Sequence, residues 1–211
     1  MRLSANPVDR GAIILCGGKS ARMGRDKAWL PFGPNEVMLQ RVARLLGEAI
    51  GLERIVCVAS ADQVLPRLPE RVSVACDREP GCGPLAGLAT GLAAIAGRAD
   101  AVFVSGCDVP LLVPALVAQM FERLREQEIA VPDDGHYVHP LAAVYRTSVL
   151  PIVESLLASG ERSLMSVIER CQTARVDSDS LRDIDPELSS LANCNTPEDY
   201  HRALAAAGFP A

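Results

Sequence analysis

The sequence predicts an α/β protein with three layers and a mostly parallel central sheet. Two observations carry this expectation. Short apolar runs rich in Val, Ile, Ala and Cys alternate with longer segments of helical spacing. The apolar runs are nearly continuous, which is the pattern of strands covered on both faces by helices. With 211 residues, 49% of them hydrophobic, the chain is long enough to bury one core and too apolar for wholesale disorder.

Taken in order, residues 12–16 form a first buried strand that ends in Gly17-Gly18. Residues 36–50 show helical spacing through Val37, Val42, Leu45 and Leu46. Residues 54–59 are a second strand, 72–76 a third and 101–105 a fourth. The longest uncharged stretch, 80–97, allows one clean helix at 84–96. That helix reaches ~20 Å at 1.5 Å per residue, short of a ~30 Å bilayer core, so it reads as a helix buried against the sheet. Residues 113–127 are a further helix with Pro114 in its first turn. Residues 128–132 and 139–145 read as later strands, and 147–158 as a helix. The final helix begins with Thr196 as N-cap, Pro197 as first helical residue and Asp199 as capping-box acid. No repeat, low-complexity tract or linker interrupts the series, so residues 1–211 are expected to form a single domain.

Composition excludes some partners. The 21 Lys and Arg against 26 Asp and Glu give a net charge of −5, the wrong sign for a coat on nucleic acid. Four Phe, three Tyr and one Trp are too few for a base-stacking platform. Seven cysteines, at 16, 57, 76, 82, 107, 171 and 194, include no Cys-x-x-Cys and an odd one out. They suit a reducing cytoplasm better than a disulfide framework. The N-terminus lacks the apolar core of a signal peptide, and no membrane partner is expected.

Open parallel sheets bind ligands beyond the carboxyl ends of their strands. Three loops stand out there. The first runs Leu15-Cys16-Gly17-Gly18-Lys19-Ser20-Ala21-Arg22-Met23-Gly24-Arg25-Asp26-Lys27. Glycines let backbone N–H groups wrap an anion, and Lys19, Arg22, Arg25 and Lys27 add four cations against one Asp26. The spacing is neither a Walker A loop nor a dinucleotide fingerprint. A solvated charged turn is the bland alternative. The second loop, Asp77 to Gly87, places Gly83-Pro84 at the start of the apolar helix; a plain connection is its alternative. In the third, Asp108 lies just past a hydrophobic strand, placed to hold a hard cation such as Mg²⁺ or simply to cap a turn before Pro110. Asp133, Asp134, His136 and His139 lie close together, but in no standard zinc spacing, and read better as a solvated or substrate-facing turn. Gly160-Glu161-Arg162-Ser163 reads as a polar interhelical turn or a contact for a second phosphate, and Trp29 as packing at the base of the first loop.

Together these segments resemble the molybdenum cofactor guanylyltransferase family (MobA-like enzymes), within the wider Rossmann-like nucleotidyltransferases. The resemblance rests on Leu15-Cys16-Gly17-Gly18, Arg22-Met23-Gly24 and Asp26-Lys27. It extends through Gly83-Pro84-Leu85-Ala86-Gly87, Cys107-Asp108-Val109-Pro110, His139-Pro140-Leu141 and Asn193-Cys194-Asn195-Thr196-Pro197-Glu198-Asp199. It spans nearly the whole chain in the family's order. It implies a three-layer Rossmann-like nucleotidyltransferase fold and transfer of GMP from GTP to the terminal phosphate of Mo-molybdopterin, with release of pyrophosphate. By the same analogy Leu15, Cys16, Gly17 and Gly18 line the nucleotide through their backbone, with Gly83 alongside. Lys27 meets the phosphates, Asp77 faces the nucleoside and Asp108 holds Mg²⁺. Arg22 steadies the leaving pyrophosphate, and Asn195 contacts metal or substrate. Cofactor-delivery proteins and molybdoenzymes are the implied protein partners. Two positions depart from the family: Cys16 stands where Ala is usual, and the stretch Val58-Ala59-Ser60-Ala61-Asp62-Gln63 has no Asn where the family often has one. The absent amide leaves the choice between GTP and CTP open at this level, as it does another acceptor phosphate. A non-catalytic nucleotide-binding module is the alternative of a different class.

Overall fold

A computed structural model of the chain describes residues 8–17, 26–77 and 83–210. Seven strands lie among them: β1 (Arg10–Leu15), β2 (Ile55–Ser60), β3 (Ser73–Asp77), β4 (Ala101–Gly106), β5 (Ile129–Asp133), β6 (Ala142–Arg146) and β7 (Thr173–Asp177). They form one sheet in the order β3-β2-β1-β4-β6-β5-β7. Strand β1 pairs in parallel with both β2 and β4, and β5 pairs in parallel with β7. Only β6 runs the other way, antiparallel to β4 and to β5. Because β6 is inserted between two strands of common direction, the remaining six all deliver their carboxyl ends to one edge. The expectation of a mostly parallel α/β sheet is met.

Six α-helices of the described residues complete the layers: α1 (Met38–Ile50), α2 (Gly83–Ile95), α3 (Pro114–Leu124), α4 (Leu150–Ala158), α5 (Leu164–Arg170) and α6 (Pro197–Ala206). Strand residues alternate between faces with period two. Ala12, Ile14 and Cys16 of the first strand segment pack with α1 and α3 through Leu39, Val42, Leu116 and Val117. Ile13 and Leu15 point the other way, onto Leu85, Leu88 and Leu92 of α2 and Val153, Leu164 and Val167 of α4 and α5. Each fully buried side chain of this size contributes roughly 1.5–3 kcal/mol, and both faces of β1 draw on that term. No helix among the described residues is long and apolar enough to cross a membrane.

Local chemistry explains where the elements depart from expectation. Helix α1 starts at Met38 rather than 36, because Val37 bridges to Pro31 and the Phe32 N–H donates to the Glu36 carbonyl at 2.8 Å. Helix α3 stops at Leu124 rather than 127, where Arg125 turns to a positive φ of 45°. The helix expected from 147 opens as a 3-10 turn, Thr147–Val149, before α4. Strand β6 begins three residues late, since the Ala142 N–H first closes a turn onto the His139 carbonyl at 3.0 Å. Strand β7 and helix α5 have no counterpart among the sequence-based expectations. In β7 only Val176 is buried, so its apolar signal is weak.

Helix α6 matters most for the site. It packs Ala203 and Leu204 against Leu30, Phe32 and Met38, and Cys194 joins the same cluster. The segment just after Lys27 is therefore backed by the end of the described chain. The helix starts as the sequence predicts. Thr196 Oγ1 accepts the Asp199 N–H at 3.2 Å, and Asp199 Oδ2 accepts the N–H groups of Thr196 at 2.9 Å and Asn195 at 3.1 Å. Thr196→Ala is expected to cost about 1 kcal/mol, the usual worth of an N-cap. Asp199→Ala leaves two backbone donors unpaired and should lower the thermal midpoint further than Thr196→Ala. Melting curves of the two variants check this order.

Candidate active site

Strand β1 ends between its two parallel neighbours. The Cys16 N–H extends the ladder to the Val58 carbonyl at 2.9 Å, and the Cys107 N–H donates to the Leu15 carbonyl at 3.2 Å. Leu15 and Cys16 are buried, and Gly17 is exposed at the edge. The expected Gly18 and Arg22 lie outside the described residues. The description resumes at Asp26, whose Oδ1 accepts the Ala28 N–H at 3.0 Å and caps a 3-10 turn, Lys27–Trp29.

That turn presents Lys27 to two distant segments. Its Nζ donates to Asp108 Oδ2 at 2.7 Å and to Asn195 Oδ1 at 2.8 Å. The Lys27 and Asp108 side chains are only 16% and 13% exposed. Two unit charges ~4 Å apart gain about 1 kcal/mol in water and about 4 kcal/mol at the effective dielectric of a protein edge. Desolvation offsets part of that gain, so pairs of this kind concentrate where charge has a task. The backbone locks the pair in place, because the Cys194 N–H donates to the Asp108 carbonyl at 2.9 Å and so sets Asn195 beside Lys27. Gly106 leaves the room this needs, since a Cβ on it would lie 2.4 Å from Asp108 Oδ1.

The sulfur groups nearby are kept neutral. Neighbouring Cys107 and Cys57 thiols, together with burial, push the Cys16 thiol well above its ordinary range. Cys16 Sγ and Cys57 Sγ are 3.2 Å apart. Burial and the charges of Asp108 and Asp199 push Cys194 up to about 12. The thiolate is the nucleophilic form, so neither group suits covalent catalysis.

Asp77 closes β3 on the same edge, with β2 between it and β1. Gly83 opens α2 at φ +77°, and a Cβ there would meet the Arg162 carbonyl oxygen at 2.8 Å. The polar turn at 160–163 thus rests on the start of α2, and Ser163 caps α5 by accepting the Met165 N–H at 3.1 Å. The Asp133–His139 segment is a turn. Asp134 Oδ1 accepts the N–H groups of Tyr137 at 2.6 Å and His136 at 2.9 Å, while its Oδ2 lies 3.3 Å from His139 Nε2. Asp133 pairs with Arg175 at 2.9 Å. Among the described residues, no three His, Cys, Asp or Glu side chains are grouped to hold a metal ion. Trp29 is 46% exposed, and its Nε1 donates to the Val64 carbonyl at 2.8 Å.

One residue of this edge is missing from the sequence-based expectations. Gln63 Nε2 donates to the Cys16 carbonyl at 3.1 Å and to Asp26 Oδ2 at 3.0 Å. It is the one side-chain amide in the stretch 58–63. The resemblance draws attention to the Asn that this stretch lacks, whereas the longer amide three positions past the strand is the signal it does carry.

A protein-family model described as MobA-like NTP transferase domain matches residues 12–176, from within β1 to within β7. The chain belongs to the MobA-like NTP transferase family. Relatives named probable molybdenum cofactor guanylyltransferase include one from Mycobacterium tuberculosis H37Rv, 34% identical over 206 residues and covering 96% of each chain. Another, from Mycobacterium avium strain 104, is 36% identical over 208 residues, covering 96% of this chain and 98% of the relative. The crystal structure of molybdopterin-guanine dinucleotide biosynthesis protein A from Archaeoglobus fulgidus has the same fold. Its TM-score is 0.76 at 22% identity, covering 94% of this chain and 98% of that one. The MobA-like match ends before Asn195, but both mycobacterial relatives extend over nearly the whole chain.

The geometry of this MobA-like edge can be tested at two places. Gly106→Ala should displace the Asp108 carboxylate and lower stability by about 1–3 kcal/mol, the usual cost of overpacking, as read by urea denaturation. Asp134 titrates low. The Tyr137 and His136 N–H groups, with His139, hold its carboxyl down to about 2 from an ordinary 3.8. Its stabilising contribution is therefore complete above its ordinary value and lost as pH falls toward 2. Asp134→Asn lacks this titration, so the stability gap between wild type and variant should narrow across that window in urea midpoints measured at successive pH values.

Proposed function

We propose that this chain is a molybdenum cofactor guanylyltransferase that transfers GMP from GTP to the terminal phosphate of Mo-molybdopterin. The supporting observation is the Lys27 ammonium held by both Asp108 and Asn195 at the carboxyl edge of the sheet, in a chain at least 34% identical to relatives bearing that name. The acceptor phosphate oxygen attacks the α-phosphorus of GTP, the bond between the α-phosphorus and its bridging oxygen breaks, and pyrophosphate leaves. A phosphate monoester is largely ionised near neutral pH, so no catalytic base is required. Neutral Cys16 and Cys194 favour direct transfer over a protein-bound intermediate.

In this reading Leu15, Cys16, Gly17 and Gly18 face the nucleotide with their backbone, and Gly83 leaves room beside it. Lys27 neutralises phosphate charge, Arg22 the pyrophosphate, and Asp77 faces the nucleoside. Asp108 and Asn195 suit Mg²⁺, because both turn hard oxygen donors on one cationic point and Mg²⁺ takes one or two carboxylates plus substrate oxygens. When bound, that ion supplies Lewis-acid stabilisation of the charge growing on the phosphate oxygens. The whole chain acts as one nucleotidyltransferase domain, as its single sheet and the packing of α6 against residues 30–38 suggest. Its cysteine usage suits the cytoplasm. Its macromolecular partners are the proteins that deliver Mo-molybdopterin and receive the dinucleotide, with neither nucleic acid nor membrane among them.

Incubation with α-labelled GTP, Mg²⁺ and Mo-molybdopterin should release pyrophosphate and yield the labelled guanine dinucleotide. Asp108→Asn should slow turnover by about 10²–10³-fold, the worth of a preorganised electrostatic group. GTP alone should leave no label on the protein. Preferential use of CTP, or no product from either nucleotide, overturns the assignment.

A further inference from the structure

Lys27 reaches Asp108 and Asn195 only if its short 3-10 turn is held at the right place on the sheet edge. That turn has two helical hydrogen bonds of its own, from the Trp29 N–H to the Asp26 carbonyl and from the Leu30 N–H to the Lys27 carbonyl, and a side-chain cap from Asp26. Three residues are too few to fix a side chain by themselves. Two ties come from the segment that follows β2. Gln63 Nε2 donates to Asp26 Oδ2 at 3.0 Å, on the opposite oxygen from the one that caps Ala28. The Trp29 indole donates to the Val64 carbonyl at 2.8 Å. The same Gln63 nitrogen also donates to the Cys16 carbonyl at 3.1 Å, so it joins the end of β1 to the start of the turn.

The amide is itself oriented. Gln63 closes a turn by donating its own N–H to the Ser60 carbonyl at 3.0 Å, and its Oε1 faces the Ser60 N–H at 3.4 Å. With the oxygen spoken for, both N–H bonds of Nε2 point at acceptors, one neutral and one charged. A hydrogen bond to a carboxylate is about twice as strong as a neutral one. No other residue type of this length presents two donors without adding charge beside the phosphate-facing lysine.

We propose that Gln63 is a positioning residue for nucleotide transfer: it braces Asp26 against the end of β1 and thereby sets Lys27. The function of Lys27 toward phosphate rests on the reading given above, but the brace does not. Disruption should weaken triphosphate binding while leaving the fold intact.

The test uses the full chain and its one tryptophan, Trp29, which sits inside the brace. Gln63→Glu turns a double donor into an acceptor facing both the Asp26 carboxylate and the Cys16 carbonyl. Like-charge repulsion should then open the Asp26 tie. Expected results are a red shift of Trp29 emission in the free protein and a dissociation constant for Mg²⁺-GTP raised about tenfold, with KM rising more than kcat falls. Adding Asp26→Asn to Gln63→Glu should restore much of both signals. In the double variant the amide oxygen at position 26 still accepts from Ala28, while the amide nitrogen donates to the carboxylate at position 63, so the hydrogen bond runs in reverse. A purely local role of Gln63 in its own turn would not be rescued by a change at residue 26. Unchanged Trp29 emission together with unchanged triphosphate affinity in Gln63→Glu overturns the proposal. So does a loss in Gln63→Glu that Asp26→Asn fails to relieve. If wild type favours another triphosphate, the GTP assignment falls while the brace is read on the triphosphate that binds. If it binds none, Trp29 emission and its rescue still decide.

Discussion

An ammonium group withdrawn largely from water needs oxygen atoms around it, and Lys27 draws them from two far parts of the chain. Asp108 supplies the charge and Asn195 a neutral oxygen. Meeting this single requirement fixes the relation of three loops, because each partner is attached to a different element: a 3-10 turn, the end of β4 and the start of α6. The main-chain bond from Cys194 to Asp108 and the space left by Gly106 both serve it. The packing of α6 on Leu30, Phe32 and Met38 brings residue 195 near residue 27, and the shared ammonium sets the final geometry.

The sheet makes the meeting place available. Six strands of common direction end on one edge, and the antiparallel β6 spares that arrangement by returning the chain between β4 and β5. The loops that leave this edge after β1, β3 and β4 are the ones whose glycines and charges stand out in the sequence. Architecture and chemistry therefore coincide because parallel strands concentrate their loop starts on one side.

Much of this is legible in the sequence, for identifiable reasons. The strands at 12–16, 54–59 and 101–105 announce themselves because central strands are apolar on both faces, the edge strand at 72–76 does so by its short Val72-Ser73-Val74-Ala75-Cys76 run, and the observed bounds differ by two residues at most. The start of α6 is legible because Thr196, Pro197 and Asp199 each have a separate local role. Lys27, Asp108 and Asn195 each stand out singly, but their convergence does not, since no local rule links residues so far apart. Strand β7 stays hidden because an edge strand with one buried residue has almost no apolar signature. Gln63 stays hidden for another reason: its work is done on main-chain and carboxylate oxygens brought near only by folding.

The reach of the Lys27 contacts also bears on how the protein is made. Lys27 and Asn195 are separated by 168 positions, and synthesis proceeds from the N-terminus at about 5–20 residues per second. A ribosome-bound chain can pair β1 with β2 and β4 long before residue 195 has emerged. During that interval the lysine has at most one of its two partners. The edge that carries Lys27, Asp108 and Asn195 is therefore among the last parts of the molecule to mature, and the nascent protein is complete in its sheet before these three side chains have met.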